Sequence, residues 1–140
     1  VLRLDIAAAL AQADGPFTFV ETGASHLGTI GTTDAHYTDR IGDIVLARRD
    51  MGTSYHLSVV LDDAAQGVTH VTRGEDLFEA TRIHVLLQRL LHLPTPIYHH
   101  HRLIRDDHGK RLAKRDDARA LAKYRAEGAS PADIRRMIGL

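Results

Sequence analysis

The sequence predicts an α/β domain in which strands and helices alternate along one chain. Three observations predict it. Short runs at Phe17–Glu21, Asp43–Arg48 and Val68–Gly74 are β-branched, aromatic or alternating in polarity. The stretch from Glu75 to Leu91 carries Leu77, Phe78, Ile83, Leu86, Leu87, Leu90 and Leu91 at amphipathic helical spacing. Glycine or proline punctuates the boundaries, as at Asp14-Gly15-Pro16, Gly74 and Pro94. A chain of 140 residues is long enough to bury a real core in one such layered domain.

Taken in order, Leu2, Leu4, Ile6 and Leu10 with alanine filling predict a first helix, closed by Asp14-Gly15-Pro16. "FTFVE" follows as a strand. From Thr22 to Gly42 the chain is rich in Gly, Thr, His and Asp without periodicity, which predicts a long surface loop. "DIVLAR" is the next strand, and the β-branched, apolar "YHLSVVLDDA", Tyr55 to Ala64, predicts a buried strand by propensity. "VTHVTRG" is a strand, Glu75–Leu91 a helix, and "IYHHHRLI", Ile97 to Ile104, a strand entering the turn Asp106-Asp107-His108-Gly109. "ARALAKYRAEG" predicts a helix stopped by Gly128, and Ser130-Pro131 opens a last short one.

Composition narrows the function. Hydrophobic residues are 44% and charged residues 26%, the balance of a soluble globular protein. No apolar run approaches the roughly 20 residues that span a bilayer, so no membrane partner is expected. The chain contains no cysteine, which excludes disulfides and thiolate metal sites and makes a cytoplasmic location the expectation. It opens without Met and without a basic region leading into an apolar one, so a signal peptide is not expected and a missing N-terminal part is. Net charge is zero, yet Arg102 to Arg125 holds nine Lys or Arg against four Asp, half of the 18 basic residues. Such asymmetry favours a phosphate-bearing partner.

Several residues are candidates for chemistry. "GKRLAKRD" follows a strand and a glycine turn, so its cations sit on an exposed loop that could reach nucleotide phosphates; a merely solvated basic turn reads as well. Tyr55 and Arg73 have plain readings as a core tyrosine and a surface ion pair. Gly74-Glu75-Asp76 lies where a strand passes into a helix, the usual ligand position in an open α/β sheet, although acids at a helix start are favoured anyway. Asp62-Asp63 is declined as a magnesium pair because strand neighbours face opposite ways. His99 and His101 share a strand face but supply only two ligands, so no metal site is assigned.

The run "SYHLSVVLDDAAQGVTHVTRGEDLFEATRIHVLLQRLLHLPTPIYHHHRLI" followed by "GKRLAKRD" resembles the second half of the catalytic domain of class I glutamyl-tRNA synthetases. Arg111-Leu112-Ala113-Lys114-Arg115 resembles that family's Lys-Met-Ser-Lys-Ser loop. The resemblance covers about Asp43 to the C-terminus. It implies a Rossmann-like class I aminoacyl-tRNA synthetase catalytic domain, here its second half, with a C-terminal helical segment. The corresponding organisation is 1–42 helix, short strand and variable loop; 43–115 second half of the nucleotide-binding fold; and 116–140 C-terminal helices.

The same resemblance implies a ligase that activates glutamate with ATP and Mg2+. Lys114 would be the loop lysine acting on the triphosphate, with Arg111 its weaker partner, while Ala113 departs from the family's serine. Tyr55 and Arg73 match the glutamate-binding tyrosine and arginine. Gly74, Glu75 and Asp76 fall beside the ATP ribose, and Leu103 and Ile104 near the adenine. The "YHHHRL" strand and the ending "GASPADIRRMIGL" resemble a short branch of the family, which lacks an anticodon-binding domain and transfers glutamate to the queuosine base of tRNA(Asp). That branch implies a monomer when complete, and the family's zinc ligands, when present, lie in the N-terminal half. His26-Leu27-Gly28 imitates the family's His-Ile-Gly-His signature, but Thr29 replaces the second His, and it is assigned to the variable loop. An ordinary synthetase charging tRNA(Glu) and a non-enzymatic nucleotide- or RNA-binding module are the competing expectations. The isolated fragment is expected to be inactive.

Overall fold

In the computed structural model, residues 1–106, 108–112 and 120–140 are described, and they form two compact units, 1–102 and 103–140. The first unit contains a four-stranded sheet in the order β3-β2-β6-β5 and a separate ribbon pairing β1 with β4. Its strands are β1 (Leu2–Leu4), β2 (Phe17–Glu21), β3 (Gly28–Thr32), β4 (Ile44–Ala47), β5 (His70–Gly74) and β6 (Ile97–His101). Its helices are α1 (Ile6–Gln12), α2 (Asp34–His36), α3 (Tyr55–Ala65) and α4 (Phe78–Leu90). Strands β2, β6 and β5 run parallel, and β3 joins antiparallel to β2. This is the expected α/β architecture.

The first predicted helix is shorter than its apolar spacing suggests. Asp5 is the N-cap of α1 in extended conformation, its carboxylate accepting from the Ala8 N–H at 2.9 Å, so the helix begins only after it. Leu2 and Leu4 lie instead on β1, where Leu4 pairs with Ile44. Residues 2, 4 and 6 fit a two-residue period as well as a helical one, and the cap decides between them.

The segment from Thr22 to Gly42 is likewise more regular than predicted. "GTIGT" is a poor strand by propensity, yet all five residues of β3 pair with β2, from Phe17 opposite Thr32 to Glu21 opposite Gly28. Thr33 then caps α2 by accepting from the His36 N–H at 3.2 Å. A π-turn over Tyr37–Ile41 buries the Tyr37 ring completely, and its hydroxyl donates to the Arg82 carbonyl at 2.8 Å.

The predicted strand at Tyr55–Ala64 is a helix. Ser54 accepts from the Leu57 N–H at 3.3 Å as its N-cap, Val60 is buried, and Gly67 just beyond the end takes a left-handed φ of 67°. A stop and a start signal override two adjacent valines. Asp62 and Asp63 are therefore helical neighbours about 100° apart around the axis, and the strand-based reason for separating them does not hold.

The predicted helix at Glu75–Leu91 is present, with its first turn, Glu75–Leu77, wound as a 3₁₀ helix before α4. Its inner face brings Phe78, Val85 and Leu86 onto the sheet, where Phe19 meets Phe78 and Tyr98 edge to face at 5.8 and 5.4 Å. The second unit opens with a bridge between Arg105 and Arg111 around a turn in which Asp106 accepts from the N–H groups of His108 and Lys110. It continues with α5 (Leu121–Ala126) and α6 (Pro131–Met137), the latter begun by a reciprocal Ser130–Asp133 capping box. Among the described residues no helix is long and apolar enough to cross a membrane.

Candidate active site

Register alone places three side chains on one face. In parallel pairing Arg73 of β5 lies opposite His100 of β6, and Glu21 of β2 lies opposite Tyr98, two residues before His100 on the same face. That face is covered by α4, which contributes Thr81, His84 and Gln88, all buried. The cluster sits toward the carboxyl ends of the parallel strands, where open α/β sheets bind ligands.

Arg73 is its centre. Its Nε donates to His100 Nε2 at 3.1 Å, and Nη1 lies 3.2 Å from His84 Nδ1 and 3.4 Å from the Tyr55 hydroxyl. Nη2 donates to Thr81 Oγ1 at 2.6 Å and to the Leu77 carbonyl at 3.4 Å. The guanidinium also lies 5.2 Å from the centre of the Tyr98 ring. Every one of these acceptors is neutral: among the described residues no carboxylate forms an ion pair with Arg73, although Asp63 is near enough to feel its charge. Its two longest contacts, to Tyr55 and the Leu77 carbonyl, are those an incoming carboxylate would most easily replace.

The guanidinium fixes the protons around it, because it can only donate. His84 must present a bare Nδ1, so its proton is on Nε2, which lies 3.1 Å from His56 Nδ1. Burial, reinforced by the Arg73 charge, pushes the His84 pKa down to about 3 and lowers that of His56 as well. Tyr55, the first residue of α3 and 48% exposed, is held by the Ser54 cap. With His56 it borders a hollow of about 470 Å³ over Ile44 and Ile83, so its ring is reachable from solvent.

Behind Arg73, Glu21 is 1% exposed. Its Oε1 accepts from the N–H groups of Gly23 at 2.6 Å and His100 at 2.9 Å, and its Oε2 lies 2.5 Å from His100 Nδ1. Burial alone would raise the Glu21 pKa, but the hydrogen bonds from His100 and Gly23 outweigh it and hold it below the ordinary carboxylate range. Burial lowers that of His100 despite the Glu21 contact. Gly23 is required here, since a Cβ would come within 2.3 Å of the His100 carbonyl oxygen.

The structure places the Tyr55 hydroxyl 3.4 Å from Arg73 Nη1. Gly74 ends β5, and Glu75 and Asp76 form the first turn after it. Ser25 donates to Glu75 at 3.3 Å, and His26, on the segment before β3, stacks on Phe78 with ring centres 3.8 Å apart. Leu103, Ile104 and Arg111 belong to the second unit, where Ile104 accepts from the Leu112 N–H at 2.9 Å. Lys114, with Ala113 and Arg115, lies outside the described residues. His99 and His101 point to the exposed face of β6 while His100 is buried in the cluster. Glu21, Thr81, His84 and His100 were missed from sequence. An available signal was the alternation of "FTFVE", which sets an acid on the face of Phe17 and Phe19.

A largely parallel sheet with a polar cluster at the carboxyl ends of its parallel strands defines an α/β domain of the kind that binds ligands there. Residues 28–140 match the family model for the catalytic domain of class I tRNA synthetases (E and Q), and the chain belongs to that family. The glutamyl-Q tRNA(Asp) synthetase of Rhodobacter capsulatus is 70% identical over 139 residues, 99% of this chain and 48% of that protein. The protein of the same name from Albidiferax ferrireducens is 42% identical over 118 residues, 76% of this chain and 38% of the relative. The chain therefore spans about half or less of these curated relatives. Among solved structures, a glutamate tRNA ligase from Elizabethkingia meningosepticum, in complex with its amino acid, matches with a TM-score of 0.57. It is 28% identical and aligns over 74% of this chain and 20% of that one. The glutamate-tRNA synthetase of Elizabethkingia anophelis gives 0.56 at 26% identity.

Proposed function

We propose that this chain is part of an enzyme that activates glutamate with ATP and transfers it to the queuosine base of tRNA(Asp). The observation that carries the reading is Arg73: a guanidinium at a strand end, beside an accessible tyrosine hydroxyl at 3.4 Å, with no carboxylate partner among the described residues. Arg73 and Tyr55 bind the carboxylate of glutamate, the guanidinium supplying charge and fork geometry and the phenol a directional hydrogen bond. The neutral imidazoles of His84 and His56 keep that charge undiminished without competing for the anion.

Activation joins the glutamate α-carboxylate to the α-phosphorus of ATP by in-line attack and releases pyrophosphate. Gly74, Glu75 and Asp76 meet the ribose, Leu103 and Ile104 the adenine, and Arg111 and Lys114 the triphosphate as its negative charge grows. Mg2+ enters with ATP, on its phosphates. The basic run from Arg102 to Arg125 is available to the tRNA backbone. In this reading residues 43–115 serve the nucleotide and 116–140 form the helical segment.

The experiment is calorimetric titration of the chain with L-glutamate and L-glutamine, for the wild type and Arg73→Ala. It is paired with transfer of labelled glutamate by the complete enzyme to tRNA(Asp) with and without queuosine. Binding that prefers glutamate and is lost in Arg73→Ala is expected, with transfer only to the queuosine form. Glutamate binding indifferent to Arg73 refutes the site, and charging of tRNA(Glu) alone refutes the acceptor.

A further inference from the structure

We infer that Glu21 is a positioning residue for Arg73: through His100 it dictates which edge of the guanidinium is left for an incoming carboxylate. The inference rests on the reading of Arg73 as the glutamate-binding arginine. Glu21 lies upstream of residue 28, where the family match begins.

The hydrogen-bond pattern favours one arrangement, with both Arg73 Nε and the Thr81 hydroxyl facing His100 Nε2, at 3.1 and 3.2 Å. Arg73 Nε–H points at His100 Nε2, so that nitrogen must be bare and the imidazole proton must sit on Nδ1. Nδ1 faces Glu21 Oε2 at 2.5 Å. Were the proton on Glu21 instead, His100 Nδ1 would accept it, the ring would carry its own proton on Nε2, and two N–H donors would oppose each other at 3.1 Å. Two backbone N–H groups already occupy Oε1, which an ionised carboxylate tolerates best. The order is therefore Arg73 Nε–H to His100 Nε2, and His100 Nδ1–H to Glu21 Oε2.

This order consumes the inner edge of the guanidinium. Thr81, at 2.6 Å from Nη2, and His84, at 3.2 Å from Nη1, hold two more points, and only the contacts to the Tyr55 hydroxyl and the Leu77 carbonyl are long, at 3.4 Å. A carboxylate arriving there meets a fork whose rotation is already fixed, so little is lost to ordering on binding. Glu21 does not touch that carboxylate. Its negative charge is insulated from the anion by a neutral ring.

Glu21→Gln tests the idea at constant shape. The amide oxygen can keep the backbone donors, but its NH2 then faces His100 Nδ1, drives the imidazole proton to Nε2 and sets two donors against each other at Arg73. We use 15N spectra of imidazole-labelled chain, with the His100 signal assigned by its loss in His100→Asn, and calorimetric titration with L-glutamate. Wild-type His100 is expected to carry its proton on Nδ1. Glu21→Gln is expected to move that proton to Nε2 and to weaken glutamate by roughly tenfold or more, as loss of a buried charge-assisted hydrogen bond would. His100→Asn, whose amide can still donate to Glu21 but cannot reach Arg73 Nε, is expected to weaken glutamate similarly. A wild-type His100 protonated on Nε2, or a folded Glu21→Gln chain with unchanged glutamate affinity, overturns the assignment. If wild type and Arg73→Ala do not differ toward glutamate, the glutamate reading fails, and the wild-type tautomer alone then decides whether Glu21 orients Arg73.

Discussion

His84 Nδ1 lies 3.2 Å from Arg73 Nη1, so a histidine kept neutral first by its burial is held so further by a cation that cannot give up its charge. Its folded pKa of about 3 lies below the ordinary histidine value of 6.5. The unfolded chain therefore binds a proton that the native one refuses, and stability must fall as pH drops from 6.5 toward 3. Between pH 7 and pH 5 this one group costs on the order of 2 kcal/mol. Glu21, depressed in the fold, removes further stability as pH falls through the carboxylate range. Urea unfolding at pH 7, 6 and 5 should show this limb, to which His56 and His100 add in the same direction, and His84→Gln should make it shallower. An identical limb in His84→Gln would exclude His84 as its source.

Arg73→Lys keeps the charge and loses the fork. A lysine ammonium cannot serve His100, Thr81, His84 and a ligand from one plane. Glutamate affinity is expected to fall by roughly tenfold or more, close to Arg73→Ala. Near wild-type titration curves for Arg73→Lys would mean that charge alone suffices.

Gly23→Ala tests the close approach of the chain after β2 to β6. The added methyl carbon would lie 2.3 Å from the His100 carbonyl oxygen and 2.7 Å from Glu21 Oε1, and the first of these is backbone that cannot swing away. Destabilisation of roughly 2 kcal/mol is expected. A thermal midpoint equal to that of the wild type would show that the two segments can separate freely.

Ser54→Ala removes the cap from α3 at the residue preceding Tyr55. The cost is about 1 kcal/mol. Because the first turn carries the tyrosine, amide exchange at Leu57 and Ser58 should accelerate and glutamate binding weaken by a few-fold. Unchanged exchange there would detach the cap from the site.

Lys114→Ala in the complete enzyme should lower the rate of glutamate-dependent ATP–pyrophosphate exchange far more than it weakens glutamate binding. The 140-residue chain alone should show negligible exchange. Vigorous exchange by the chain alone would overturn its expected inactivity, and normal exchange by the variant would remove the role assigned to Lys114.

The parallel strands and the long helix are legible because their signals are local: alternation in "VTHVTRG", helical spacing from Leu77 to Leu91, prolines after it. Helix α3 reads as a strand because two valines outweigh Ser54 and Gly67, although caps and terminators set where a helix can exist. β3 was not legible at all, since a Gly-Thr sequence becomes a strand only by pairing with β2. The site divides the same way. Tyr55 and Arg73 stand out through the resemblance to the family's pattern, whereas Glu21, His84 and His100 acquire meaning only through register and the packing of α4. The histidine triplet drew attention to the wrong members: the exposed pair, His99 and His101, shared a face, and the buried one between them belonged to the cluster.

The pairing of Glu21 with His100 also sets a rule for exchanging parts between relatives. The family match starts at residue 28, which would make the β2–β3 connection a natural joint for a chimera. A cut there would give the acid to one parent and the imidazole to the other, leaving one parent's carboxylate beneath the other's arginine. Any interchangeable module must begin before Phe17, so that strand and site are inherited as one piece.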